Sequence, residues 1–213
     1  MYAEWARKIH ECAKAKGWWE NYITPSELAM LVVTEAAEAS EEVRNKMPDV
    51  YVYEQSGISP LNPKGTVVKI EDVDFKSFVY VDGDKTMLKP HGELSEIADV
   101  VIRALNWLQY LNTTRVNFEN LDYLMGKVSS MIGEEDEERL RKLKPLEIHG
   151  VISASALTIA NPFESDIDVG AIAGCILICE KYCKIKGWDL WNMVNIKHEY
   201  NLTREQRHGG KAL

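Results

Sequence analysis

Residues 24–44 read TPSELAMLVVTEAAEASEEVR, and this stretch decides the fold. Thr24 offers an N-cap oxygen, Pro25 suits a first turn that needs no amide donor, and Glu27 stands where a capping-box carboxylate reaches back to the cap. Ile23 and Leu28 are spaced for the hydrophobic staple. The pattern predicts a helix running to about Lys46. At about 100° per residue, Glu35 falls inside the apolar arc of Leu28, Leu31, Val32, Ala36 and Ala39, with Glu38 and Glu42 on its edge. Burying like charges together is costly unless a proton, a basic partner or a cation neutralises them.

A second helix, predicted to start after Pro90-His91-Gly92 and run to about Leu111, repeats the arrangement. Glu96 and Asp99 stand three apart beside the stripe of Ile97, Val100, Val101, Ala104 and Leu108, and Arg103 follows four beyond Asp99. An isolated Glu-x-x-Glu is usually a solvated stripe. Two acidic pairs flanking apolar faces imply more, because antiparallel packing of the helices brings four carboxylates together as hard oxygen ligands. Magnesium prefers such ligands while it keeps waters and takes phosphate oxygens. A di-iron site would need Glu-x-x-His from each of two helices, and the only match is Glu205-Gln206-Arg207-His208.

Working outward, Met1–Lys16 reads as an amphipathic helix, and further helices are expected over 117–132, 146–160, 166–185 and 190–203, giving an all-α helical bundle. Residues 49–88 are β-prone at Tyr51-Val52-Tyr53, Thr66 to Ile70 and Phe78 to Val81, with a turn signal at Asp82-Gly83, and read as a small β insertion. The charged run Glu134 to Lys142 reads as a solvated linker or helix start. A degenerate internal repeat at an offset of 75 residues sets Ile97-Ala98 against Ile172-Ala173 and Asn117-Phe118 against Asn192-Met193. A single domain is expected: acid-bearing helices in 1–48 and 89–132, the insertion at 49–88, and a second helical unit with a basic tail, stripped of acids, at 146–213.

The chain has 213 residues, 46% of them hydrophobic, enough for a sizeable core. Its formal charge of −8 argues against a partner that is a nucleic-acid polymer. The longest clean apolar stretch, Ala171 to Cys179, falls short of the roughly 20 residues that span a bilayer, and residues 1–16 lack a signal-peptide core. No membrane association and a cytoplasmic location are expected. Cys175, Cys179 and Cys183 repeat at helical spacing in an apolar segment and read as core rather than thiolate ligands.

The residues Thr34-Glu35-Ala36-Ala37-Glu38-Ala39, followed by Glu96-Ile97-Ala98-Asp99-Val100-Val101-Ile102-Arg103, resemble the Glu-x-x-Glu and Glu-x-x-Asp signature of MazG-like all-α nucleoside triphosphate pyrophosphatases, most closely the larger phage and bacterial members. Supporting pieces are Lys16-Gly17-Trp18-Trp19, Lys89-Pro90 with Gly92, and the ending Lys197, Tyr200-Asn201, Arg204 and Arg207 to Lys211. The resemblance implies that Glu35, Glu38, Glu96 and Asp99 hold Mg2+, with Mn2+ as a substitute. It further implies that water attacks the α-phosphorus, that pyrophosphate leaves, and that the chain works as a homodimer or higher homo-oligomer. It implies too that the basic segment Lys197, Asn201, Arg204, Arg207, His208 and Lys211 closes over the triphosphate. Arg103 either neutralises phosphate charge or pairs with Asp99. Trp18 and Trp19 are candidates to stack on the base and Asn21 to read its edge, with core packing expected of at least one tryptophan. Three positions depart from the family pattern: His91, where an acid is expected, Glu205-Gln206, and the long insertion. A second reading, a nucleotide sensor or assembly subunit without turnover, keeps the bundle but needs no full set of acids.

Overall fold

The computed structural model describes residues 1–21, 23–54, 65–82, 84–114, 120–159 and 168–205. Eight α-helices are found among them: α1 (Tyr2–Ala15), α2 (Pro25–Arg44), α3 (Glu93–Thr114), α4 (Leu121–Met131), α5 (Glu134–Lys142), α6 (Pro145–Ile159), α7 (Val169–Lys186) and α8 (Leu190–Thr203). The cap read from the sequence forms as a complete capping box, with the Thr24 side chain accepting from the Glu27 amide and the Glu27 carboxylate accepting from Thr24. The Glu134–Lys142 run is a helix of its own, its Glu137 paired with Arg141, Lys181 and Lys184.

At the centre α2, α3, α7 and α6 form a closed ring in which each helix packs on the next. Helices α1 and α8 lean on α3, and α4 and α5 on α7. Ile97-Ala98 and Ile172-Ala173, the positions set opposite one another by the repeat, lie on the packed pair α3 and α7 and are fully buried. Asn117 and Phe118 lie outside the described residues. The ring interior is mostly alanine, valine, leucine and isoleucine, with Trp107, Ile152 and Cys179 buried among them. Cys175 and Cys183 are buried beside Cys179, and desolvation pushes the Cys175 thiol up to about 12, so these sulfurs remain thiols inside the core.

All four ring helices contribute to one buried polar network. Glu93 of α3 accepts hydrogen bonds from Tyr182 of α7 and His149 of α6, the latter at 3.0 Å, and the other imidazole nitrogen of His149 lies 3.0 Å from Ser40 Oγ of α2. Burial alone would raise the Glu93 carboxyl, but the His149 and Tyr182 hydrogen bonds and the Lys186 charge outweigh it and hold it below the usual range. A satisfied network of this kind fixes the mutual register of helices whose apolar faces alone allow sliding.

The insertion between α2 and α3 forms two antiparallel pairs: β1 (Tyr51–Glu54) with β2 (Thr66–Lys69), and β3 (Val79–Asp82) with β4 (Asp84–Met87). Strand β4 has no counterpart in the sequence reading. Its segment, Asp84-Lys85-Thr86-Met87, carries little β-branched or aromatic content and is recruited by pairing with β3. The insertion is joined to the start of α3 by a bridge, where Tyr51 and His91 exchange both backbone hydrogen bonds, at 3.0 and 2.9 Å, and its Val50, Val52, Phe78 and Met87 are buried against the core. Gly92 follows at φ +105°, and a Cβ there would sit 2.4 Å from the Asp49 carbonyl oxygen. Only glycine lets the chain turn so tightly out of the bridge into α3. No helix among the described residues is long and apolar enough to cross a membrane.

Candidate functional site

Glu93 locks the first turn of α3 into the ring, so Glu96, one turn on, is held at a fixed height facing α2. Across the gap, Glu35 and Glu38 project from consecutive turns of α2. Oxygen atoms of Glu35, Glu38 and Glu96 lie within 4.8 Å of one another, a group able to hold a metal ion. They line an open cleft of about 110 Å3 between α1, α2, α3 and α8.

The three acids differ in environment. Glu38 is exposed at the mouth. Glu35 is 7% exposed and held by Arg103, whose Nε donates to Oε1 at 3.1 Å and whose second guanidinium nitrogen lies 3.0 Å away. Burial raises the Glu35 carboxyl, Asp99 and Glu38 add to the rise, and Arg103 opposes it. Glu96 is 3% exposed and makes no hydrogen bond or ion pair among the described residues. Burial, opposed by the Lys197 and Lys89 charges, still pushes it from 4.5 to about 8. A buried carboxylate without a donor is costly, and either a proton or a cation relieves it.

Asp99, the fourth acid, stands apart from that group of oxygens. Its Oδ2 lies 2.6 Å from Nζ of Lys197, which reaches in from α8 and also donates to Ser95 Oγ at 3.0 Å. Lys197 is 2% exposed; burial would favour the neutral amine, but Asp99 and Glu96 outweigh it and raise its pKa above the ordinary lysine value. Lys197 is therefore a buried counter-charge to the acids, not a free end of a basic tail. Arg103 pairs with Glu35 of the other helix instead of with Asp99 on its own, because the long guanidinium stem reaches across the α2–α3 gap.

Of the other residues singled out from sequence, Trp18, Asn201 and Arg204 line the cleft. The Arg103 guanidinium sits 5.5 Å from the centre of the Trp18 ring. Trp19 is committed elsewhere: it stacks on Tyr110 with centroids 4.1 Å apart and donates to Asn106 at 3.1 Å. Asn21 is exposed and does not line the cleft. Arg207, His208 and Lys211 lie outside the described residues. The sequence reading did not assign Lys16, Lys89 or Asn106 to the site, yet all three line the cleft, and the Lys16 ammonium donates to the carbonyls of Leu202, at 2.9 Å, and Arg204. Lys16 and Lys89 flank the two acidic motifs, which was the available signal; Asn106, one turn beyond Arg103, had none.

Comparison with protein-family models, with curated proteins and with solved structures finds no match to this chain.

Proposed function

We propose that the chain is a magnesium-dependent pyrophosphohydrolase that splits a nucleoside triphosphate, ribo or deoxy, into the monophosphate and pyrophosphate, controlling nucleotide pools in the cytoplasm on a bundle of the MazG-like type. The observation that carries this reading is the buried Glu96 carboxylate, without a donor, facing Glu35 and Glu38 in a cleft that Lys16, Lys89, Arg103 and Arg204 also line. An acidic floor under a basic rim suits a polyphosphate that arrives with its cation. The donor set, all carboxylate, fits Mg2+.

Glu35, Glu38 and Glu96 would hold magnesium, which would supply charge neutralisation at the phosphates and lower the pKa of a water. Arg103 and the cleft lysines bind the phosphate oxygens, and Trp18 offers its ring to the base. Glu38, exposed at the mouth, orients the attacking water and takes its proton. The bond from the α-phosphorus to the bridging oxygen breaks, and pyrophosphate departs towards Arg204 and the basic segment beyond it. Asp99 joins the ligand set only by yielding its contact with Lys197; otherwise it keeps that lysine charged. The working form is proposed to be a homodimer.

The test is incubation of the full chain with a panel of ribo- and deoxynucleoside triphosphates and magnesium, with both products measured. Equal amounts of monophosphate and pyrophosphate are expected. Nucleotide binding without turnover would replace this reading with that of a sensor, and orthophosphate as the product would place the cleavage at the wrong bond.

A further inference from the structure

Glu96 has neighbours on both sides. Besides Glu35 and Glu38, a second set of ligand atoms, from Glu42, His91 and Glu96, lies mutually within 4.8 Å. Atoms sharing one cation at about 2.0–2.3 Å stand roughly 3–4.4 Å apart, so small rotamer adjustments close this group on an ion. We propose that Glu42, His91 and Glu96 form a second divalent-cation site, suited to a transition ion such as Mn2+ and joined to the first through the Glu96 carboxylate. It rests on the pyrophosphohydrolase reading only in sharing Glu96.

Three observations support it. The ligands are held in place from outside, as metal ligands are. The Tyr51 hydroxyl donates to Glu42 Oε1 at 3.2 Å, and the His91 ring lies stacked on Tyr51, centroids 5.3 Å apart, with the Tyr53 ring set edge-on to it at 5.0 Å. The backbone of His91 is pinned to Tyr51 in both directions. Burial, the Tyr53 hydroxyl and Glu42 keep the Tyr51 phenol well above its usual range, so it remains a donor.

Glu96, 3% exposed, makes no hydrogen bond or ion pair among the described residues, although Lys197 stands close enough to act on it through space. That ammonium is spent on Asp99 and Ser95. Neither oxygen of Glu96 is engaged by a protein donor, which leaves one for each cation. Sites built on a shared carboxylate hold two cations about 3.5–4 Å apart, the spacing that serves phosphoryl transfer. Finally, the two sites differ in chemistry: three carboxylates suit magnesium, whereas an imidazole with two carboxylates favours Mn2+, Co2+ or Zn2+.

The test counts Mn2+ bound to the full chain by the electron paramagnetic resonance signal of the free ion, with and without excess magnesium. Wild type is expected to bind two Mn2+ per chain, magnesium displacing one. His91→Gln should bind one, displaced by magnesium, and Glu38→Gln should keep the one that magnesium does not displace. Glu42→Gln is the second probe should His91→Gln unfold, circular dichroism reporting the fold. If wild type binds only one Mn2+ and that ion survives His91→Gln and Glu42→Gln, the second site is overturned and the first left intact. A single ion lost in His91→Gln but retained in Glu38→Gln supports the second site and overturns the magnesium reading. No binding at all overturns both.

Discussion

Glu38 and Glu96 carry the same functional group and predict opposite behaviour. Glu38 is exposed, so Glu38→Gln should leave the unfolding free energy within about 0.5 kcal/mol of wild type, as surface changes do, while pyrophosphate release falls by at least ~100-fold. Retained turnover would remove Glu38 from the chemistry. Glu96 is instead a pH sensor of the metal-free fold. Its carboxyl rises from 4.5 to about 8 on folding, so between those values the folded chain holds a proton that the unfolded chain has released. With fewer protons on the unfolded state, stability falls as pH rises, by at most ~1.4 kcal/mol per unit, and levels off above the folded value. In chelator, the melting temperature of wild type should therefore drop from mildly acidic to mildly alkaline pH more steeply than that of Glu96→Gln. Saturating magnesium should cancel that drop, because the cation binds the ionised form. Parallel pH profiles for the two proteins would show that burial of Glu96 has no energetic consequence.

The elements were legible where local chemistry decides them. The capping box at Thr24, the Pro90-His91-Gly92 start and the apolar stripes set α2 and α3 because each signal lies within a few residues of the structure it controls. Strand β4 depends on its partner β3, and its own residues carry a weak preference. Helix α5, by contrast, is made of strong helix formers with a Glu137–Arg141 pair and was open in the sequence as a helix start; its packing on α7 through Lys181 and Lys184 was not legible. The site divides along the same line. The wheel position of Glu35 and the repeated spacing at Glu96 bring those acids together, but the burial of Lys197 against Asp99 is a contact between positions far apart in sequence, and a lysine gives no local sign of being buried. Two changes test how the elements hold the site. Tyr182→Phe removes one donor from buried Glu93 and should cost about 1.5–3 kcal/mol by denaturant unfolding, with nucleotide turnover retained, since the network lies beside the cleft and not in it. Gly92→Ala forces a side chain onto the Asp49 carbonyl at φ +105° and should cost about 1–3 kcal/mol or more. It should also lower turnover, because Glu96 follows four residues later; unchanged stability would mean that the junction relaxes freely.

At the scale of the whole molecule, a cation that binds only the folded state must raise its stability. Magnesium at 100 times its dissociation constant should add about 2.7 kcal/mol, visible as a concentration-dependent rise in melting temperature that Glu96→Gln abolishes. An unchanged transition would separate the acidic cluster from metal binding. The pairing of Lys197 with Asp99 has a further consequence in time. A ribosome adds roughly 5–20 residues per second, so a nascent chain carries Glu35, Glu96 and Asp99 for about 5–20 seconds before residue 197 is made. Until then, of the two cations that contact these acids among the described residues, only Arg103 has been made. A chain truncated before α8 therefore lacks the lysine that neutralises Asp99, and its α2–α3 pair should be protected from proteolysis only when magnesium is added.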